Sequence, residues 1–251
     1  MSDQARTIEP MDLLDSVTAL FLVASMGGLT VPAPASVPAT CADVVVVGVA
    51  GSGQTPGTGP QVGSLAAAIA EGMGRAGRTI EVAAVDYPAV DLAASFGLAL
   101  FDGRYEESVA VGAERLSLLI GELGRCAGTR LVIVGYSQGA EVVKRALGSV
   151  VPEAPIEVVV LIADPTRDPA QAGVVRVAGA PDDREGSLGA LAVPARWARQ
   201  TIDVCTVGDV VCGSRSFRIG AHGFGYDEPV RAAAGIAIRR LVRDPVAWDR
   251  Y

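Results

Sequence analysis

Short apolar segments alternate along the chain with longer segments of helical spacing. Nearly unbroken apolar runs are typical of parallel strands buried on both faces, and they occur at residues 43–49, 79–85, 131–134, 156–163 and 201–205. Helical spacing occurs at residues 62–75, 106–124, 140–147 and 229–242. This alternation predicts an α/β fold in which helices cover both faces of a mostly parallel central sheet. Residues 166–200 follow neither pattern and are predicted to be irregular.

The first 35 residues differ in composition from the rest of the chain. Residues 17–26 are apolar but too few to span a bilayer comfortably, and Ala33-Pro34-Ala35 offers the small-residue pattern of a signal-peptide cleavage site. The segment before the apolar run is acidic, where signal peptides are basic. We expect a signal peptide over residues 1–35 and a single domain over residues 36–251, with an ordinary N-terminal helix as the alternative for the first segment.

Charge and cysteine content limit the partners and the compartment. The net charge is −7 and Lys144 is the only lysine, so nucleic acid and anionic membrane surfaces are not expected partners. The four cysteines, Cys41, Cys126, Cys205 and Cys212, contain no C-x-x-C pair, which argues against a zinc site. Their even number is typical of two disulfides in an exported protein, with three pairings open. We therefore expect an extracellular protein, either free or associated with the cell wall.

The pentapeptide Gly135-Tyr136-Ser137-Gln138-Gly139 carries the strongest chemical signal. It follows the apolar run 131–134 and precedes the helical segment 140–147, and strand, G-x-S-x-G, helix is the context of a nucleophile elbow. A turn this tight needs glycine on both sides of the serine, and the amides of the next helix can stabilise a developing oxyanion. The pattern predicts that Ser137 is the nucleophile of a serine hydrolase. The alternative is a glycine-rich turn with a purely structural role.

One histidine and two carboxylates are the candidates to complete such a site. A serine nucleophile needs a base to take its proton and a carboxylate to orient that base. His222 is the only histidine, and its glycine-rich surroundings predict a flexible loop. The acid is either Asp164, at the end of a predicted strand, or Asp209, inside the segment 205–212. Of the three pairings we favour Cys41–Cys126 with Cys205–Cys212. We favour Asp209 as the acid because the short Cys205–Cys212 loop would then hold the carboxylate rigidly, and because Ser, Asp, His is the chain order of α/β-hydrolases.

Together these residues resemble the cutinases and the related cutinase-like and acetylxylan esterases. The matching motifs span residues 41–226, nearly the whole of the predicted mature chain. They are Cys41-Ala42-Asp43-Val44, Gly51-Ser52, Cys126 eleven residues before Ser137, the elbow itself, the C-x-x-x-D-x-x-C loop from Cys205 to Cys212, and His222 thirteen residues after Asp209. One departure is Ala50-Gly51, where many members have Arg-Gly. The absence of this arginine indicates the loss of a structural ion pair rather than of a catalytic group.

The resemblance implies a role for each candidate residue. Ser137 would be the nucleophile, His222 the general base and then the general acid, and Asp209 the group that orients His222. The backbone N–H groups of Ser52 and Gln138 would form the oxyanion hole, with the Ser52 hydroxyl assisting. Independently of the family, the residue after the serine of a nucleophile elbow is expected to supply one such donor.

The resemblance also implies the disulfides Cys41–Cys126 and Cys205–Cys212, a cutinase-type α/β-hydrolase fold without a large lid, and no metal or cofactor. The implied activity is that of a secreted carboxylic-ester hydrolase that forms an acyl-enzyme on Ser137 from short- to medium-chain acyl esters or polyesters. Acetylxylan esterase and lipase or phospholipase activity fit the same triad, and a non-catalytic surface-binding protein is the alternative outside the enzymes. The expected partner is the ester substrate, with no obligatory protein partner.

The segment 210–219 contains four apolar residues that the proposed chemistry does not use, Val210, Val211, Phe217 and Ile219. In the family that the chain resembles, this region flanks the acyl site and is partly exposed. We expect these side chains either to contact lipid or polymer chains or to pack as an ordinary loop.

Overall fold

A six-stranded sheet runs through the part of the chain that the computed structural model describes, residues 41–95, 97–177 and 184–243. Its strands are β1 (Val44–Val49), β2 (Ile80–Ala84), β3 (Arg130–Tyr136), β4 (Ile156–Ile162), β5 (Val175–Arg176) and β6 (Thr201–Val204). They are ordered β2-β1-β3-β4-β6-β5, and every neighbouring pair is parallel. The predicted α/β class is therefore confirmed. The predicted signal peptide, residues 1–35, lies outside the described residues.

Helices cover both faces of the sheet. On one face lie α1 (Pro60–Arg75) and α5 (Asp227–Val242), and on the other lie α2 (Arg104–Leu123) and α3 (Gln138–Ser149). A single helical turn, α4, spans Ala221–Phe224, and two 3₁₀ turns span Leu98–Leu100 and Ala195–Gln200. Among the described residues, none of the helices combines the length and the apolar character that crossing a bilayer requires.

The valine run of β1 shows why the strands are apolar at successive positions. Val44 and Val46 belong to the core beneath α1 and α5, whereas Val45, Val47 and Val49 belong to the core beneath α2 and α3. Side chains alternate between the two faces along a strand, so a strand covered on both faces must be apolar throughout. Each fully buried valine stabilises the fold by roughly 1.5–3 kcal/mol relative to an exposed one.

The structure differs from the sequence prediction in two segments. Residues 166–200, predicted to be irregular, contain the two-residue strand β5 and the 3₁₀ turn Ala195–Gln200. His222, predicted to lie in a flexible loop, lies in the turn α4, which follows Gly220 in the left-handed region at φ 78°. Elements this short do not contain enough residues for a repeat of apolar positions, so the hydrophobic pattern of the sequence does not predict them.

The turn between β3 and α3 lies directly against the end of β1. A β-carbon at Gly139 would overlap the carbonyl oxygens of Val49 and Ala50, and a β-carbon at Gly135 would overlap the carbonyl oxygen of Gly139. Both glycines of the sequence motif are therefore required by close backbone approach. This contact fixes the loop after β1 relative to the first turn of α3, the two places where oxyanion donors were predicted.

We expect Gly139→Ala to lower the free energy of unfolding by about 1–3 kcal/mol, because the added methyl group must displace buried backbone atoms. Gly121→Ala is a matched control within α2, where an added β-carbon meets nothing within 4 Å. This control should stabilise the protein by about 0.5–1 kcal/mol through helix propensity. Chemical denaturation measures both values, and equal stability of the two variants would contradict the close approach.

Candidate active site

Ser137 stands at the tip of the turn that joins β3 to α3. Its φ of 52° lies in the left-handed region, which is strained for a residue with a side chain. Its amide donates to the Ile162 carbonyl at 2.8 Å, which holds the turn against β4. The arrangement is the strand, turn and helix of a nucleophile elbow, and it presents the Ser137 Oγ to His222.

The three residues predicted to act together are in hydrogen-bond contact. His222 Nε2 lies 3.1 Å from Ser137 Oγ, and His222 Nδ1 lies 2.9 Å from Asp209 Oδ2. The Asp209 side chain is fully buried, whereas 36% of the His222 side chain is exposed. The imidazole can therefore accept the serine proton on one nitrogen while a carboxylate shielded from water holds the other.

The loop that carries Asp209 is closed by the Cys205–Cys212 disulfide. The Val211 N–H donates to Asp209 Oδ1 at 2.9 Å, and the Tyr226 hydroxyl donates to Asp209 Oδ2 at 2.5 Å. Both carboxylate oxygens have fixed donors, so the carboxylate is restricted to one orientation. Sequence reasoning missed Tyr226, which directly precedes α5 and belongs to no motif.

Tyr136, the residue before the candidate nucleophile, packs on the candidate base. Its ring stacks on the imidazole of His222 with centroids 5.2 Å apart and planes at 29°, and its hydroxyl donates to the His222 carbonyl at 2.5 Å. Burial raises the pKa of Tyr136 well above its ordinary value, and the charge of Asp209 raises it further, so the hydroxyl remains a donor. Sequence reasoning missed this contact because Tyr136 occupies a variable position of the G-x-S-x-G pattern.

Ser52 and Gln138 both line the cleft beside the candidate nucleophile. Gln138 is the first residue of α3, and the first amides of a helix lack intrahelical acceptors, so its N–H is available to a ligand. The Ser52 hydroxyl donates to the Val90 carbonyl at 2.7 Å and accepts from the Leu92 N–H at 2.8 Å. This hydroxyl therefore connects the loop of Ser52 to residues 90–92, and its assisting role toward an oxyanion stays a prediction. The Ser52 N–H remains the candidate donor.

Asp164, the second candidate for the acid, has other partners. Its Oδ2 lies 2.6 Å from Lys144 Nζ, and both side chains are almost fully buried. Its Oδ1 accepts from the N–H and the hydroxyl of Thr166, both at 2.9 Å. The ammonium group of Lys144 also donates to the carbonyls of Thr166 and Leu191. This is a hydrogen-bonded buried ion pair, and the carboxylate in contact with the candidate base is that of Asp209.

The other disulfide joins Cys41, just before β1, to Cys126, just after α2, and their Cα atoms are 5.5 Å apart. The two disulfides of the structure have the pairing that the resemblance implies, and the described residues include no free cysteine. Within the same described ranges, no group of three or more His, Cys, Asp or Glu side chains is placed to hold a metal ion.

A cleft of about 390 Å³ opens beside Ser137 and His222. Most of its walls are apolar, formed by Leu92, Ala93, Leu100, Tyr105, Tyr136, Pro165, Leu188 and Val211. Among the described residues that line the cleft, one is acidic, Asp91. A cleft with this composition suits an apolar ligand of modest size.

The class of protein follows from this geometry. A serine on a nucleophile elbow at the carboxyl end of a parallel strand, with its acid and base following in the chain, defines the serine hydrolases of the α/β-hydrolase class. Comparison with known families narrows this class. The family model Cutinase matches residues 40–241, and the chain belongs to this family.

Individual relatives agree with this assignment. The chain is similar to a cutinase from Kineococcus radiotolerans, with 33% identity over 184 residues that cover 70% of this chain and 53% of that protein. It thus spans about half the length of this curated relative. It is also similar to the solved structure of a Trichoderma reesei cutinase in complex with a phosphonate inhibitor, with a TM-score of 0.57 and 26% identity over 92% of this chain and 85% of that one. The catalytic core domain of acetylxylan esterase from Trichoderma reesei shares the fold, with a TM-score of 0.59 and 22% identity over 80% of this chain and 98% of that one.

Neutralising Asp164 tests its structural role. Asp164→Asn leaves the Lys144 ammonium group buried without a counter-charge, so the free energy of unfolding should fall by about 3–5 kcal/mol. Glu71→Gln removes one partner of the exposed pair with Arg75 and should leave the free energy of unfolding nearly unchanged. Urea denaturation compares the two variants. An Asp164→Asn variant as stable as this control would show that the buried pair does not stabilise the fold.

Proposed function

We propose that the chain is a secreted serine carboxylic-ester hydrolase that acts through an acyl-enzyme on Ser137. The observation that carries the proposal is the hydrogen-bonded series from Ser137 through His222 to Asp209 at the wall of a mostly apolar cleft. Secretion is supported by the two disulfides, since disulfides persist in oxidising compartments, and by the signal-peptide pattern in residues 1–35.

Proton transfers by His222 connect the two halves of the reaction. In the first half, Nε2 takes the proton of Ser137 Oγ as this oxygen attacks the ester carbonyl carbon, and the N–H groups of Ser52 and Gln138 bind the oxyanion. The imidazolium, held at Nδ1 by Asp209, gives this proton to the leaving alcohol, and the acyl group stays on the serine. In the second half, water takes the place of the alcohol: it loses a proton to His222 and adds to the acyl carbon. The proton then returns to Ser137 as the carboxylic acid leaves.

The cleft favours a small, uncharged acyl group. Its volume of about 390 Å³ lies near the lower end of the range of about 300–1,000 Å³ for small-molecule sites. Its walls offer apolar contact from side chains such as Leu92, Leu188 and Val211, and the carboxylate of Asp91 would repel an anionic acyl group. These features support short- to medium-chain acyl esters, free or as units of a polyester, as substrates.

Two further activities fit the same three residues. Acetylxylan esterase activity is suggested by the fold shared with that enzyme from Trichoderma reesei, and lipase- or phospholipase-type activity by the exposed apolar side chains after Asp209. A non-catalytic surface-binding role is disfavoured because it requires no buried carboxylate aligned on a histidine. The expected partner is the ester substrate. Nucleic acid is not expected at a net charge of −7, and no obligatory protein partner is implied.

Removal of the nucleophile is the direct test of the proposed reaction. Ser137→Ala should lower the turnover of a soluble short-chain ester by about 10⁴-fold or more and abolish covalent labelling by a phosphonate ester. Asp209→Asn should still allow covalent labelling of Ser137, but it should lower kcat by about 10⁴-fold because His222 loses its correct tautomer. Ser64→Ala changes an exposed serine of α1 and should leave turnover and labelling unchanged. Turnover near the wild-type value in Ser137→Ala would refute the proposal.

Exposed apolar side chains between the acid and the base are expected to contact insoluble substrates. Phe217 and Ile219 are 71% and 94% exposed, so a lipid or polymer surface would remove apolar area from water. The double variant Phe217→Ser/Ile219→Ser should lower turnover of an insoluble polyester by about 5- to 30-fold, which corresponds to ~1–2 kcal/mol of apolar contact. Turnover of a soluble ester should stay within about twofold.

Leu118→Ser is the matched control for this experiment, since Leu118 is 62% exposed on α2 and does not line the cleft. It should leave the turnover of both esters unchanged. If the double variant hydrolysed the insoluble polyester as fast as the wild-type protein, the two side chains would be ordinary loop residues without a role in substrate contact.

A further inference from the structure

Among the side chains in contact with the candidate acid is one that the proposed reaction does not use, the hydroxyl of Tyr226. This hydroxyl donates to Asp209 Oδ2 at 2.5 Å, the same oxygen that His222 Nδ1 contacts at 2.9 Å. The other carboxylate oxygen accepts from the Val211 N–H. One carboxylate oxygen therefore shares its negative charge between a phenol and an imidazole.

Tyr226 is held in place independently of the substrate cleft. It is 2% exposed and directly precedes α5. Its hydroxyl oxygen lies 3.3 Å from Cys212 Sγ in the disulfide of the Asp209 loop, and its ring meets Tyr136 edge-on with centroids 6.1 Å apart. Tyr226 is not among the described residues that line the cleft, so it contacts the acid and not the substrate.

The phenol keeps its proton across the working range of an esterase. Burial raises the pKa of Tyr226 well above its ordinary value, and the charge of Asp209 and the hydrogen bond to it raise it further. Other titratable or charged groups near this side of the site are Tyr136, whose pKa burial also raises, Asp91 in the cleft, and Arg218, whose alkyl chain packs on the Asp209 loop. Asp227 and Glu228 follow Tyr226 in the first turn of α5, and Glu228 lines a cavity together with Arg218 and Ala221. These groups stay the same when Tyr226 alone is changed.

We propose that Tyr226 is a positioning residue that tunes His222 as a base through Asp209, an inference that rests on the proposed function. A strong donor on Oδ2 withdraws negative charge from the carboxylate, so the carboxylate stabilises the imidazolium form of His222 less. A larger fraction of the protein then holds the neutral imidazole at mildly acidic pH, which is the form that can accept the serine proton. The same hydrogen bond fixes the orientation of the buried carboxylate.

The composition of the chain makes this effect measurable without turnover. His222 is the only histidine, so a single imidazole signal in an NMR titration of the tag-free protein reports on it. Tyr226→Phe removes the donor and keeps the ring, and the imidazole then faces a carboxylate with more of its charge available. The midpoint of the titration should move to higher pH by about 0.5–1. The acid limb of kcat/KM should move with it, so that activity at pH 6 falls about 3- to 10-fold while activity at pH 9 changes less.

Two further variants separate tuning from folding. Site-specific 3-fluorotyrosine at position 226 keeps the shape of the side chain and carries a more acidic phenol, so it donates more strongly and should move the midpoint to lower pH. This variant decides the question if Tyr226→Phe does not fold. Thr129→Val removes another buried hydroxyl, which donates to the Ala42 carbonyl at 2.7 Å before the start of β3, and it should leave the midpoint where it is.

The outcomes distinguish this proposal from the proposed function. A fall in activity of Tyr226→Phe at every pH, with the midpoint and the acid limb unmoved, would overturn the tuning role and leave Tyr226 as a structural contact. A wild-type protein that hydrolyses no ester would instead refute the proposed function, and the NMR midpoints of the variants would still decide whether Tyr226 acts on His222.

Discussion

The structure depends on one steric constraint, the contact between the end of β1 and the turn that follows β3. Carbonyl oxygens of β1 and the residue after it leave no room for a side chain at Gly139, and the ring of Tyr136 leaves none at Gly51. Backbone segments packed this closely cannot move independently of each other. The turn of Ser137 and the loop of Ser52 are therefore held at a fixed separation before any ligand binds, which is the preorganisation that stabilisation of an oxyanion requires.

The candidate acid and the candidate base, Asp209 and His222, belong to a separate segment, residues 205–226, which is held by different interactions. A disulfide closes the loop of Asp209, and Tyr226 ties this carboxylate to the start of α5. The two halves of the site meet at Tyr136, which stacks on the imidazole of His222 and binds its carbonyl. The ring position, the backbone and Nδ1 of the histidine are thus all held, and Nε2 is left facing the serine. These contacts hold His222 in place although it lies in a helix of a single turn.

Sequence reasoning succeeded where the physical signal is local or compositional. Buried strands show as apolar runs, the elbow shows as glycines at fixed spacing, and a single histidine with an aspartate framed by cysteines leaves few candidates for a base and an acid. It missed the contacts that packing creates between distant positions. Tyr226 reaches Asp209 across 17 residues, and the hydroxyl of Ser52 reaches the Val90 carbonyl across 38. Neither the residue type nor its spacing marks these partners, because they are selected by the geometry of the folded chain.

The candidate catalytic residues and the residues that line the cleft are held in different ways. The candidate catalytic residues are held by buried hydrogen bonds and close backbone contacts. Much of the cleft wall, in contrast, comes from loop and turn residues such as Leu92, Leu100 and Leu188. Loop residues can change with little effect on the core that supports the site, so the lining of the cleft can vary while the three candidate catalytic residues stay in place. The chain shares its fold both with a cutinase and with the core of an acetylxylan esterase from Trichoderma reesei. These two enzymes are named after different substrates. Because a fold does not fix its substrate, we expect these wall residues, rather than the three candidate catalytic residues, to decide which ligands the cleft accepts.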